Sequence, residues 1–134
     1  LSTCGLVWVL GGNSFVLRRA MRASGFDGII HGLLLQDALV YGGFSAGAIV
    51  TAPSLCGFDL MDDPKVGTFG CEAISYEGLN LFPKSVVPHV GSNHRDSPGA
   101  DRAAHWLMDN AMPYVALQDG QVIMVDGDEG TLLD

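Results

Sequence analysis

Apolar residues fall in short, bounded runs along this chain, and the spacing inside each run predicts its conformation. Gly5 to Leu10 is apolar and is closed by Gly11-Gly12-Asn13, which reads as a short buried strand followed by a turn. Helical spacing follows: Val16, Leu17, Ala20 and Met21 share one face, Arg18, Arg19 and Arg22 face away, and Gly25 supplies a C-terminal stop. A second helix is expected from Asp27 to Leu35, and Ala38 to Gly42 reads as a second strand. Beyond Ser45, the small residues Ala46, Gly47 and Ala48 suit a helix packed closely against a sheet.

Pro53 to Gly70 is rich in Gly, Pro and Asp without a period, and reads as a long loop able to line a site. Ser85 to Val90 is a third strand, and Ser97-Pro98 offers an N-cap with proline at the first position of a helix running to about Asn110. Tyr114 to Leu117 and Val122 to Val125 flank Asp119-Gly120, a strong local signal for a hairpin turn. Strands alternating with helices and then a closing hairpin predict an α/β fold, a mostly parallel sheet flanked by helices, as one domain over residues 1–134.

Composition narrows the possible partners. A net charge of −8 with only seven Lys and Arg argues against a phosphate-tracking surface, which leaves small substrates ahead of nucleic acid or anionic membranes. Cys4, Cys56 and Cys71 are an odd set without C-x-x-C or zinc-type spacing, so neither a disulfide framework nor a structural metal is signalled. A soluble protein of the reducing cytoplasm is expected, because no apolar run approaches the ~20 residues of a membrane span and no signal-peptide pattern opens the chain. No dinucleotide fingerprint or P-loop occurs, so no cofactor is implied, and nothing in the pattern sets the oligomeric state.

The informative motif is Gly43-Phe44-Ser45-Ala46-Gly47, with a strand leading in and a helix leading out. A serine on so sharp a turn projects its hydroxyl above the sheet, and the flanking glycines remove side chains that would clash there. A plain glycine-rich turn joining strand to helix is the competing reading. The hydroxyl needs a base and the base needs an orienting group. Among four histidines, His31 and His105 fall inside helices and His94 in a polar loop, whereas His89 follows Val86-Val87-Pro88 at a strand end, where ligand sites gather in open α/β sheets. Asp119 also follows an apolar run, with Asp59, Asp62 and Asp63 of the long loop as rivals. Gly11-Gly12-Asn13 could supply half of an oxyanion hole or be a capped βα turn.

Taken together, Gly11-Gly12-Asn13-Ser14-Phe15, Gly43-Phe44-Ser45-Ala46-Gly47-Ala48, Leu79-Asn80-Leu81-Phe82-Pro83, Pro88-His89 and Leu117-Gln118-Asp119-Gly120 resemble the peptidase E family of aspartyl dipeptidases, with cyanophycinases as relatives. The resemblance runs from about Leu6 to Gly127 with the motifs in family order. It implies a fold of the flavodoxin-like or class I glutamine amidotransferase-like type. It also implies a metal-free serine peptidase cleaving short peptides, with Ser45 as nucleophile, His89 as base and Asp119 where the dipeptidase has a glutamate. The oxyanion hole would be the amides of Gly12 and Ala46, with Asn13 beside the substrate. Arg95 is the nearest candidate to receive an aspartyl carboxylate, and Arg102 the second. Family members carry strand and helix units before the Gly-Gly-Asn segment, so the chain is expected to be the C-terminal two-thirds of a longer domain that lacks those units here. Two other readings remain at this level: an esterase using Ser45, Asp62 and His89 in that order, and an inactive relative serving as a binding module.

Overall fold

The structure, a computed structural model, describes residues 1, 3–68, 73–127 and 129–134. The end of the long loop and Cys71 lie outside the described residues. The order of elements is β1 (Leu6–Val9), α1 (Ser14–Ala23), α2 (Phe26–Leu35), β2 (Val40–Gly43), α3 (Ala46–Ile49), β3 (Ser85–Val87), α4 (Ser97–Asp109), β4 (Tyr114–Ala116), β5 (Val122–Asp126) and β6 (Glu129–Leu133). One turn of 3-10 helix, Phe58–Leu60, interrupts the long loop.

Among the described residues the strands pair two by two. β1 runs parallel to β2 with Leu6 opposite Val40, and β3 runs parallel to β4 with Ser85 opposite Tyr114. The antiparallel hairpin is β5 with β6, turning after Asp126 at Gly127, which has φ 60°. The expected hairpin at Asp119-Gly120 is therefore corrected: β4 takes the non-local partner β3, and Asp119 is left at a strand end. Pro88, which has no N–H to donate, ends β3 three residues earlier than the apolar run suggests.

Helix α1 starts where Asn13 Oδ1 accepts the N–H groups of Phe15 and Val16 at 3.0 Å each. Its buried face is Ser14, Phe15, Arg18 and Met21; of the apolar set that spacing suggested, Met21 is buried and Leu17 packs half-buried beside it, while Val16 and Ala20 are exposed. Arg18 lies inward because it has partners there: its guanidinium meets both Asp27 oxygens at 3.0 and 2.8 Å and the Glu77 carbonyl at 3.1 Å. A bidentate carboxylate with a backbone acceptor offsets the desolvation of that charge. In α4, Ala100, Ala103, Ala104 and Leu107 repeat at helical spacing and are buried. Its N-cap is Asp96 rather than Ser97, with Pro98 in the first turn.

The short α3 joins the two parallel pairs, packing against β1, β2 and β3. Ile49 enters one apolar cluster with Phe15, Leu55, Phe58, Val87 and Leu107, while its neighbour Val50 enters another with Met21, Ile30, Leu39 and Leu79. The segment that carries Ser45 is thereby fixed from both sides.

Candidate active site

Ser45 leaves β2 in a conformation that few residues adopt, with φ 54° and ψ −113°. Such backbone costs on the order of 1–3 kcal/mol and persists only where its surroundings impose it. Here they do. A methyl group on Gly43 would overlap the Gly47 carbonyl oxygen and stand 2.9 Å from Ala48 N, and one on Gly47 would overlap the Val9 carbonyl oxygen. Only glycine lets β1, β2 and α3 close this tightly. Phe44 N–H donates to Val9 O at 3.0 Å, and the Tyr41 hydroxyl donates to Gly47 O at 2.7 Å. Burial pushes the Tyr41 hydroxyl far above the usual tyrosine range despite the lowering pull of Arg18, so it remains a donor.

Chain segments distant in sequence converge on this serine. His89, at φ 65° just past β3, is buried, with Nε2 3.1 Å from Ser45 Oγ and Nδ1 2.6 Å from Asp119 Oδ1. Asp119 is 46% exposed, and its own N–H donates to Ser92 Oγ at 2.8 Å. The remaining candidates lie elsewhere. Asp62 Oδ2 accepts the N–H of Ser14 at 2.8 Å and its hydroxyl at 2.7 Å, which removes the esterase order Ser45, Asp62, His89. Asp63 Oδ1 accepts the Lys65 N–H at 2.9 Å, and Asp59 sits on the 3-10 turn. His31 Nε2 is 2.8 Å from Leu79 O, and His105 Nδ1 is 2.6 Å from Asp101 O.

Gly11 and Gly12 bring the turn after β1 against the serine. A Cβ on Gly11 would stand 3.1 Å from Ser45 Cβ, and Gly12 has φ 139°, which a larger residue would resist. Within the first turn of α3 the N–H groups of Gly47, Ala48 and Ile49 donate to the carbonyls of Phe44 and Ser45. The Ala46 N–H is fully buried and, among the described residues, meets no acceptor. A buried amide without an acceptor is rare, and this one follows directly on Ser45. Asn13, expected beside substrate, spends its side chain inside the fold, since Nδ2 donates to Asp63 O at 2.9 Å while Oδ1 caps α1. Arg95 is 88% exposed and meets Asp96 at 3.4 Å, whereas Arg102 bonds to Leu60 O at 3.0 Å.

Two side chains at the site escaped sequence reasoning. His94, read only as a residue of a polar loop, stacks on His89 with ring centroids 3.9 Å apart and planes at 8°. No local signal marks it. Tyr41 could have been found, because strand alternation puts it on the same face as Gly43, toward the helix that follows Ser45.

The family model of peptidase family S51 matches residues 1–133. The chain belongs to peptidase family S51. Among curated relatives of this S51 chain, a Drosophila melanogaster protein named "probable alpha-aspartyl dipeptidase" is 30% identical over 127 residues, covering 95% of this chain and 52% of the relative. Peptidase E of Streptomyces coelicolor is 33% identical over 138 residues, covering 98% and 53%. The S51 chain thus spans about half the length of the curated relatives it matches. The 1.5 Å crystal structure of a Listeria monocytogenes EGD-e protein assigned as a candidate peptidase E superposes with a TM-score of 0.77 at 24% identity, covering 96% of this chain and 59% of that one. That neighbour shares the open α/β architecture expected from the strand and helix pattern.

No helix among the described residues is long and apolar enough to cross a membrane. Among the same residues no group of three or more His, Cys, Asp or Glu could hold a metal ion.

Proposed function

We propose that this chain carries the catalytic machinery of a serine peptidase that hydrolyses short peptides, including dipeptides with N-terminal aspartate, through an acyl-enzyme on Ser45. The observation that carries the reading is His89, hydrogen-bonded through one ring nitrogen to Ser45 Oγ and through the other to Asp119. Ser45 Oγ attacks the scissile carbonyl as His89 Nε2 takes its proton. Asp119 holds the Nδ1 proton and favours the imidazolium that results. The oxyanion of the tetrahedral intermediate meets the amide of Ala46, with that of Gly12 as the second donor. His89 then passes its proton to the leaving amine, and water, deprotonated by the same ring, releases the acyl group.

Support for the peptide class comes from family S51 and from relatives named for dipeptidase and peptidase E. Aspartyl preference requires a local cation, because the net charge of −8 repels acidic substrates. Arg95 is the residue we assign to this, an exposed arginine adjoining the histidine that stacks on His89.

The test is hydrolysis of Asp-X, Glu-X and neutral X-X dipeptides by wild type and Ser45→Ala, both first shown to be folded. Cleavage of Asp-X that disappears in Ser45→Ala is expected. Hydrolysis surviving in Ser45→Ala would remove the nucleophile, and equal cleavage of neutral dipeptides would remove the aspartyl preference and the role of Arg95.

A further inference from the structure

We infer that His94 is a positioning residue for the base: it holds the His89 ring in the orientation that serves Ser45 and Asp119 together, and presents a neutral aromatic face to the charge His89 acquires. This rests on the serine peptidase reading above. Two hydrogen bonds fix the tilt of an imidazole poorly, because the ring can rock about the line joining its two nitrogens. Contacts on its faces and edges prevent that. The His94 ring lies nearly parallel to His89 at 3.9 Å, and Phe44 meets it edge to face at 6.0 Å and 80°.

His94 is itself held. The Asp96 N–H donates to His94 Nδ1 at 3.2 Å, so that nitrogen is the acceptor and the proton of the ring sits on Nε2. The charged groups nearest it are the Asp96 carboxylate, 3.7 Å from Nδ1, and Arg95, which is paired to that same carboxylate. A neutral ring face beside an imidazolium attracts it, and the attraction exists only once His89 has taken the serine proton. It therefore acts on the transition state more than on the resting enzyme. The same loop reaches the acid, since Ser92 Oγ accepts the Asp119 N–H. Residues 90–96 thus grip both partners of the serine.

The test is the rate at which a fluorophosphonate phosphonylates Ser45, followed by mass spectrometry. Ser45 Oγ bonds to phosphorus, fluoride leaves and His89 takes the proton, so the step needs the base but no particular peptide. His94→Leu keeps bulk without a ring face and His94→Phe keeps the face, and His94 is 32% exposed, so neither variant empties a core. His94→Gln serves as a third variant should His94→Leu fold poorly, as judged by melting temperature. We expect kinact to fall about tenfold in His94→Leu and His94→Gln, about 1.4 kcal/mol, with KI within about twofold and His94→Phe within about threefold of wild type. Reaction of His94→Leu at the wild-type rate would overturn the assignment and make the contact bulk packing, as would equal slowing of His94→Phe, which would place the effect in the hydrogen bonding of the imidazole rather than in its ring face. A folded wild type whose Ser45 does not react would overturn the nucleophile reading, and the role of His94 with it.

Discussion

Gly47→Ala tests whether the close approach of α3 to β1 is what aligns Ser45. The added methyl would overlap the Val9 carbonyl oxygen and lie 2.9 Å from its carbon and 3.1 Å from Val9 Cβ. Ordinary separations between such atoms are about 3.5 Å or more, and these three nearest atoms all belong to Val9, two of them to its backbone. Relief requires α3 to move away from β1 by roughly 0.5–1 Å, at a cost of about 1–3 kcal/mol for an overpacked site. Ser45 moves with α3, and its Oγ starts 3.1 Å from His89 Nε2, so a shift of that size carries the pair beyond hydrogen-bonding distance. A misplacement of ~1 Å at reacting atoms can cost 10²-fold in rate. The expected result is a folded protein with a melting temperature lower by roughly 5–10 °C and phosphonylation of Ser45 slowed by about 10²-fold. Gly5→Ala is the control, since a methyl there meets nothing within 4 Å. Wild-type reactivity in folded Gly47→Ala would refute the argument, because Ser45 would then be positioned without this contact.

Two further substitutions separate the acids. Asp119→Asn should lower kcat by roughly 10²–10³-fold with KM nearly unchanged. That loss is smaller than the ~10⁴ of a buried triad acid, because a carboxylate 46% exposed can be partly replaced by water; steady-state kinetics showing less than a threefold loss would remove Asp119 from the chemistry. Asp62→Ala should do the reverse, since it strips Ser14 of an acceptor for two hydrogen bonds: a loss of about 1–3 kcal/mol in urea unfolding, with activity of the folded protein retained to within about threefold.

What could be read from the sequence was what depends on neighbours in the chain. The elbow is legible because its strand, turn and helix follow one another, and Gly43 is demanded by contacts inside that unit, although Gly47 answers to Val9 of β1. The Asn13 cap is legible for the same reason. Asp119-Gly120 misleads because a hairpin signal is local, whereas β4 is claimed by β3, whose residues lie about thirty positions upstream; the hairpin forms instead where Asp126 ends β5 and Gly127 begins the turn. Arg18 misleads because an arginine on a helix face reads as solvated until Asp27 and the Glu77 carbonyl are known to meet it. His94 was invisible because four residues of loop separate it from His89, and nothing local says that the loop folds back to stack the rings.

The nucleophile and the core are held by the same few residues, and this links stability to chemistry in this chain. Strain at Ser45 has to be balanced by neighbours that do not yield, and those neighbours are Val9, Tyr41, Gly43 and Gly47, each bound to backbone or in close contact with it. Behind them Ile49 and Val50 anchor α3 in two separate apolar clusters. Loosening either cluster leaves α3 free to relax toward an ordinary turn, which would swing Oγ away from His89 and let the Ala46 amide find an acceptor. Core substitutions far from the site, in Leu107 or Met21 for example, therefore reach the serine through α3. Over its four residues α3 is otherwise held by the Tyr41 bond to Gly47 O and the contact of Gly47 with Val9.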